Sequence, residues 1–360
     1  MSYLIAAAGT GGHVFPGLAV GEALVELGVD QDQVLFVGGD RLEKDVYPAA
    51  GFPFLQTEIA GLKRELTLAN LRLPRTVLRA TAKISAAMAE RRVEVVLGMG
   101  GYVTVPVAIA ARRRKAPLYV AEQNASAGLA NRFASRWAAR VFGSFPHTDG
   151  LPDAEWVGNP IRRSLRLFAR DRWRNEARAH YGLPQDGQVL GVIGGSLGAD
   201  VLNQVASLLA ASSPPYSILH LCGASKEADQ KARAEASPAT WVVRGFESRM
   251  ELFYAAVDGV VARAGGAVAE LSATATPSVL IPGGFGSGGH QEANAAFLAA
   301  TGAALLLSED SIEESPKVVE EMFSPAQHLR MSKATKTLAR PNAAFEVATA
   351  MRSVHDGPTP

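Results

Sequence analysis

The sequence holds a single cysteine, Cys222, which excludes an intramolecular disulfide framework and a cysteine-rich metal site. Charge of one sign is scarcely in excess: 36 Lys and Arg stand against 35 Asp and Glu, a formal net charge of +1. Such a balance offers no bulk field for a nucleic acid. Long hydrophobic runs are missing too. The longest charge-free apolar stretch, 95–111, is broken by Gly98, Gly100 and Gly101, as a strand, loop and helix would be and a membrane span would not. Residues 1–8 are apolar but short, lack a basic start and run straight into a glycine-rich loop, so they read as a first strand and not as a signal peptide. The seven histidines are scattered, with no His-x-x-x-His or His/Cys cluster, so no metal is implied. A soluble or peripheral cytoplasmic protein is expected.

What is present suits two α/β domains. At 360 residues, 48% hydrophobic and 20% charged, the chain is long enough to bury two cores. Strand-like runs are expected at 3–8, 34–37, 93–97, 118–121 and 140–142. Helical patterns lie between them at 16–27, 42–50, 68–90, 105–113 and 127–138. A second series of strands follows at 189–193, 217–221, 241–243, 259–262, 278–281 and 303–306. This alternation predicts doubly wound parallel sheets. The openings IAAAGTGGHVFPGLAV (5–20) and LGVIGGSLGADVLNQV (190–205) are alike: an apolar strand, a glycine-rich loop, a helix. Two Rossmann-like domains, 1–160 and 161–340, are therefore expected to face a cleft, with a last helix at about 341–354 packing back on the first. The boundary falls near Gly158-Asn159-Pro160, where glycine and proline interrupt the pattern.

Four loops carry the candidate chemistry. In Gly9-Thr10-Gly11-Gly12-His13, glycines let the backbone approach a ligand, and a helix start attracts anions. An ordinary strand–helix turn would need the same glycines. The third position of a dinucleotide fingerprint is Val14, and no P-loop motif occurs, so both of those chemistries are excluded. A neutral imidazole such as His13 near a helix N-terminus has its pKa lowered and can act as a general base; it can equally cap or pack. The second loop, 194–199, includes Ser196 and can bind a diphosphate. In the third, Arg263-Ala264-Gly265-Gly266 leads into a helix with Glu270, a carboxylate able to bridge two ribose hydroxyls or simply favoured there by the helix dipole. The fourth is the glycine-rich loop 282–289 followed by His290 and Gln291, which suit sugar hydroxyls. Asp30-Gln31-Asp32 resembles a metal clamp but lies away from the strand carboxyl ends, and reads as a solvated turn.

Charge is unevenly spread. Residues 61–140 carry 15 Lys and Arg against 4 Asp and Glu. Within them Leu62, Lys63, Arg64, Leu71, Arg72, Arg75, Leu78 and Arg79 interleave leucines with cations. That pattern can seat apolar side chains in lipid beside anionic headgroups, or pack an amphipathic helix on a sheet.

The motifs GTGGHVFPGLAV (9–20), LGMGGYV (97–103), EQNASAGLAN (122–131), VGNPIR (157–162), GGSLGA (194–199), RAGGAVAE (263–270) and HQEANA (290–295) fall in one order. In that order the chain resembles the MurG family, the peptidoglycan glycosyltransferases that add N-acetylglucosamine to lipid I. The resemblance implies a type B glycosyltransferase fold (GT-B), peripheral on the cytoplasmic face of the membrane. It implies inverting transfer from UDP-N-acetylglucosamine to the C4 hydroxyl of the muramyl sugar, giving lipid II, with no prosthetic group. Lipid I, an anionic membrane surface and a cell-wall or division complex are the partners it suggests. Carried over, Thr10, Gly11 and Gly12 meet the donor sugar and diphosphate, with His13 as the base. Asn124 contacts the N-acetylglucosamine, while Arg162 and Ser196 hold the diphosphate. Phe246 and Glu247 recognise uracil through their backbone. Gly265 and Gly266 belong to the substrate-binding set, Glu270 takes the ribose, and His290 and Gln291 take sugar hydroxyls. The chain departs from the family at Ala121, where a histidine usually precedes the EQN motif. It departs again in the shorter 263–270 segment with Gly266-Ala267, and in a loop 283–289 without charged residues. Other readings of the same loops are a type B transferase with another lipid or natural-product acceptor, a UDP-sugar epimerase, and a nucleotide-sensing scaffold.

Overall fold

A computed structural model describes residues 1–58, 73–195, 198–283 and 289–355. The chain divides into two compact units, Met1–Arg163 with Pro341–Pro360, and Ser164–Arg340.

The first unit runs β1 (Ser2–Ala6), α1 (Gly11–Glu26), β2 (Val34–Gly38), α2 (Glu43–Ala49), β3 (Phe54–Gln56), α3 (Leu73–Glu90), β4 (Val93–Gly98), α4 (Thr104–Arg114), β5 (Leu118–Glu122), α5 (Leu129–Ala134), β6 (Ala138–Gly143) and β7 (Glu155–Trp156). Its described strands form one sheet in the order β3-β2-β1-β4-β5-β6-β7, every pairing parallel. The two-residue period of a strand explains why β1 is apolar throughout. Tyr3, Ile5 and Ala7 join one core with Val14, Val20 and Leu24 of α1. Leu4, Ala6 and Ala8 join another with Ile84 and Met88 of α3 and Val107 and Ala108 of α4.

The second unit follows the same plan: α6 (Arg170–Tyr181), β8 (Val189–Ile193), α7 (Asp200–Ala211), β9 (Ser217–Leu221), α8 (Glu227–Glu235), β10 (Trp241–Arg244), α9 (Met250–Ala256), β11 (Gly259–Ala262), α10 (Ala267–Ala273), β12 (Ser278–Leu280), α11 (His290–Ala300), β13 (Ala304–Leu306), α12 (Ser315–Phe323) and α13 (Pro325–Thr337). Its sheet, again parallel, is ordered β10-β9-β8-β11-β12-β13. Leu190 and Val192 pack with Leu202, Val205 and Leu209 of α7 and with Met322 of α12. Arg178 of α6 is wholly buried and donates to four carbonyls and to Asp258 Oδ2 at 3.0 Å. That carboxylate also accepts from the Val189 N–H at 2.8 Å and pairs with Arg174 at 2.7 Å, so the buried Arg178 guanidinium is fully hydrogen-bonded. After α13 the chain returns to the first unit as α14 (Ala343–Arg352), whose Val347, Ala348 and Met351 complete the core under α1. There Ala350 O accepts from the Tyr119 hydroxyl at 3.0 Å, and Arg352 donates to Leu27 O at 2.7 Å.

Two details differ from the sequence reading. Helix α1 begins at Gly11, not at Pro16, because the extended Thr10 is the N-cap and Pro16 is accommodated inside the helix. Strands β3 and β7, of three and two residues, were not expected; each is a short edge strand whose register its neighbour supplies.

Within β9, His220 is wholly buried; its Nε2 lies 3.0 Å from Asn203 Oδ1, and its Nδ1 has no partner. Burial alone pushes its pKa down from 6.5 to about 4. The native imidazole stays neutral in this interval, while an unfolded chain takes up a proton near 6.5. The residue's full contribution is therefore present above about pH 7 and is lost as pH falls toward 4, by about 3 kcal/mol in all. Hydrogen exchange of the β9 amides, measured from pH 7 to 4, should show that loss, and His220→Gln should flatten the slope by one proton.

Candidate functional site

Parallel strands place all their carboxyl ends at one edge of a sheet. Where the strand order reverses, the flanking loops leave a crevice that takes ligands. In the first unit the reversal lies between β1 and β4, in the second between β8 and β11. The loops following those four strands are 7–10, 99–103, 194–199 and 263–266, and each contains one of the sequence motifs. Asp30, Gln31 and Asp32 precede β2 and so sit at the opposite edge.

In the first unit Thr10 is exposed and caps α1 by its backbone, with no side-chain cap. Its Oγ1 lies 3.3 Å from His13 Nδ1, so the hydroxyl orients the ring. The ring rests on the loop after β4, where Gly100 has φ +88° and a Cβ would come within 3.0 Å of His13 Cδ2 and Nε2. Gly100 is therefore required twice, for its backbone and for its missing side chain. Beneath, the buried Glu43 at the start of α2 accepts from Gly9 N–H at 3.2 Å and Gly39 N–H at 2.9 Å, tying the loops after β1 and β2 together.

The loop after β5 is organised by Glu122, itself 3% exposed. Its Oε1 accepts from the backbone N–H of Asn124 at 3.1 Å and from Asn124 Nδ2 at 3.0 Å; its Oε2 accepts from Gly128 N–H at 3.1 Å and Asn131 Nδ2 at 2.8 Å. Gln123 Oε1 and Asn131 Oδ1 are buried with no hydrogen-bond partner. Arg162 stacks its guanidinium over Phe15 of α1 at 3.9 Å. On α3, Arg75, Leu78 and Arg79 are exposed at i, i+3 and i+4, one face of the helix, while Ile84 and Met88 turn inward. The expected membrane residues Leu62, Lys63, Arg64, Leu71 and Arg72 lie outside the described residues.

In the second unit Ser196 also lies outside them. Beside it Gly198 has φ +70°, and a Cβ there would meet Cys222 O at 2.0 Å, so only glycine lets this loop close against the end of β9. Gly265 and Gly266 lead into α10, and Glu270 in its first turn accepts from the Tyr254 hydroxyl at 3.0 Å. Arg263 donates to Ile281 O at 3.0 Å and pairs with Glu309. After β12, Gly283 N–H donates to Gln291 Oε1 at 2.9 Å, and Asn294 Nδ2 donates to Ala264 O at 2.9 Å. Helix α11 is thus stitched to the loops after two adjacent strands. His290, its first residue, has a buried Nδ1 without a partner. Phe246 is exposed, while Glu247 accepts from the Tyr181 hydroxyl and the Arg249 N–H, each at 2.7 Å. Burial and that carboxylate hold the Tyr181 phenol well above its usual range.

The unit-1 candidates Thr10, Gly11, Gly12 and His13 therefore share one loop and helix turn, with Asn124 on the loop after β5. In the second unit Gly265, Gly266 and Glu270 share the loop and helix after β11, and His290 and Gln291 begin the next helix. Glu43 and Tyr254, which support these residues, carried no motif of their own, while Glu122 and Asn131 stood unassigned inside the motif at 122–131. Among the described residues, no three His, Cys, Asp or Glu side chains come together to hold a metal ion. No described helix is long and apolar enough to cross a membrane.

Two parallel-sheet α/β units with glycine-rich loops at their order reversals define a glycosyltransferase-type architecture. Residues 3–143 match the glycosyltransferase family 28 N-terminal domain and 189–347 the family 28 C-terminal domain; the chain belongs to glycosyltransferase family 28. It is 40% identical to a Halorhodospira halophila protein named UDP-N-acetylglucosamine–N-acetylmuramyl-(pentapeptide) pyrophosphoryl-undecaprenol N-acetylglucosamine transferase, over 98% of both chains. The crystal structure of Acinetobacter baumannii MurG superposes with TM-score 0.75 at 27% identity, over 98% of this chain and all of that one. A UDP-GlcNAc 2-epimerase from Neisseria meningitidis, bound to UDP-GlcNAc, shares the fold alone: TM-score 0.66 at 12% identity, over 98% of this chain and 100% of that one.

Glu122 carries this site's clearest energetic consequence. In Glu122→Gln an amide would face donors in place of one carboxylate oxygen, so two hydrogen bonds from the loop lose their acceptor. The expected cost is about 2–4 kcal/mol, read as a lower urea midpoint and faster hydrogen exchange at Asn124 and Gly128.

Proposed function

We propose that the protein is an inverting hexosyltransferase moving N-acetylglucosamine from UDP-N-acetylglucosamine to the C4 hydroxyl of the muramyl sugar of lipid I, giving lipid II for peptidoglycan. The observation that carries this is the 40% identity, over 98% of both chains, to a relative named for that transfer. An epimerase on this architecture is not favoured, because the likeness to one, at 12% identity, is of fold alone.

In this reading the second unit binds the donor. The phosphates lie against the loop carrying Ser196 and the N–H groups of the helix start that follows, with Arg162 assisting. Gly265 and Gly266 let the backbone approach the nucleotide, Glu270 accepts from the ribose hydroxyls, and the backbone at Phe246 and Glu247 reads uracil. His290 and Gln291 take sugar hydroxyls; because the Gln291 carbonyl is tied to Gly283, its amide is the donating end. Donor charge is met by these groups without a divalent ion.

The first unit supplies the base. An alcohol near its normal pKa is a poor nucleophile, so its proton must leave as it attacks the anomeric carbon. In this reading Nδ1–H donates to Thr10 Oγ1, 3.3 Å away, which leaves Nε2 as the basic nitrogen of His13. Gly11 and Gly12 keep the helix start open to the donor sugar and diphosphate, and Asn124, its amide oriented by Glu122, contacts the N-acetyl sugar. We place the protein peripherally on the cytoplasmic face of the membrane. Leu78 enters the interface there, Arg75 and Arg79 meet anionic headgroups, and association with a cell-wall or division complex follows naturally from that location.

His13→Ala should lower turnover by about 10²–10⁴-fold with UDP affinity nearly intact, in a transfer assay using labelled donor, a lipid I analogue and chelator. Wild-type turnover in that variant would remove His13 from the chemistry. Arg75→Glu with Arg79→Glu should weaken binding to vesicles containing anionic lipid by about tenfold or more and leave binding to neutral vesicles unchanged.

A further inference from the structure

The side chain of Tyr254 is wholly buried on α9, yet its hydroxyl reaches across to the next helix and donates to Glu270 Oε2 at 3.0 Å. A buried phenol needs a partner, and a backbone carbonyl would serve; here the partner is the carboxylate at the start of α10. The frame around the pair is rigid. Arg170 closes the ends of both helices, donating to Tyr254 O and Val257 O after α9 and to Thr274 O and Thr276 Oγ1 after α10. Glu270 O accepts from the Thr274 hydroxyl at 2.8 Å, which fixes the backbone that carries the carboxylate.

We infer that Tyr254 is a positioning residue for donor recognition: its hydroxyl, bonded to one oxygen, helps set the orientation in which the Glu270 carboxylate meets a vicinal diol. An ionised carboxylate has about four lone-pair directions, and a hydrogen bond to one oxygen fixes the plane of the other. A carboxylate already oriented before binding costs less conformational entropy when the diol arrives. Two hydroxyls on adjacent carbons demand both acceptor directions at once. A nucleotide that lacks one hydroxyl of the diol, such as 2′-deoxy-UDP, therefore reports on the Tyr254 hydroxyl.

This rests on the assignment of Glu270 to the ribose, and the experiment separates the two. Dissociation constants for UDP and 2′-deoxy-UDP are measured calorimetrically on the full chain and on Glu270→Gln and Tyr254→Phe, together with kcat and KM for UDP-N-acetylglucosamine. The wild type should prefer UDP, and Glu270→Gln should bring the two ligands within about twofold. Tyr254→Phe, which keeps the packed ring, should shrink the preference about three- to tenfold and raise donor KM while kcat holds. A Tyr254→Phe protein with the wild-type preference, or with equal losses for both ligands, would overturn the positioning role while Glu270 keeps its own. A wild-type preference retained in Glu270→Gln would instead overturn the ribose assignment on which it stands.

Discussion

Every described strand runs parallel to its neighbours, and in each sheet the first and fourth strands of the unit are adjacent. Their following helices must leave toward opposite faces, since a crossover in a parallel sheet has one hand. A gap at the carboxyl edge is the geometric result. Backbone N–H groups of two helix starts border it, and no ladder partner exists for them there. The motif glycines, His13 and Glu270 lie at the carboxyl edges of their sheets, where the topology leaves backbone N–H groups unpaired. The apolar strands obey the same constraint from inside. Buried on both faces, they carry mostly apolar side chains, with exceptions such as His220 within β9 and Glu122 at the end of β5, so most of the candidate chemistry lies in the loops.

Loops of this kind cannot stabilise one another by ladder bonds, and here buried carboxylates do it instead. Glu43 joins the loops after β1 and β2, and Glu122 holds the loop after β5 to α5. Removing a charge from water is costly unless its lone pairs are filled, and each of these accepts several N–H bonds. The arrangement makes loop geometry an all-or-none property.

The strand and helix pattern was legible because both signals were strong: apolar runs with no polar interruption, and glycine-rich punctuation between them. The start of α1 was misread at Pro16 because proline favours a first turn. The extended Thr10 and the two glycines after it allow the helix to begin earlier, which brings His13 into the first turn. Strands β3 and β7 were invisible, since two or three residues at a sheet edge carry no period. At the site, the candidate residues stood inside motifs, while supports such as Glu43 and Tyr254 did not. Tyr254 reaches Glu270 from another helix 16 positions away, and nothing in the local pattern of either helix marks that pair. Glu43 likewise reads as an acid favoured at a helix start, although its carboxylate faces inward to two loops.

The two units share strand order and loop placement, and their edges have nonetheless been given different chemistry. At the first edge stand an imidazole oriented by a hydroxyl, an asparagine held by a buried glutamate, and amide oxygens without partners: groups suited to handling neutral hydroxyls and a proton. At the second are tight glycine turns at helix starts, an arginine, and a glutamate locked by a phenol: groups suited to phosphates and a diol. A reaction between a charged nucleotide sugar and a neutral alcohol needs both sets, and one crevice cannot optimise both. An anion-binding edge favours positive potential, which would keep a nearby imidazole neutral but would also weaken its affinity for the proton it must take. On the proposed assignment, most of the phosphate recognition and the handling of the hydroxyl proton fall on separate copies of the fold, so each edge can be shaped to one demand. The duplication is, on this argument, a solution to an electrostatic conflict, and the asymmetry of the two edges is its record.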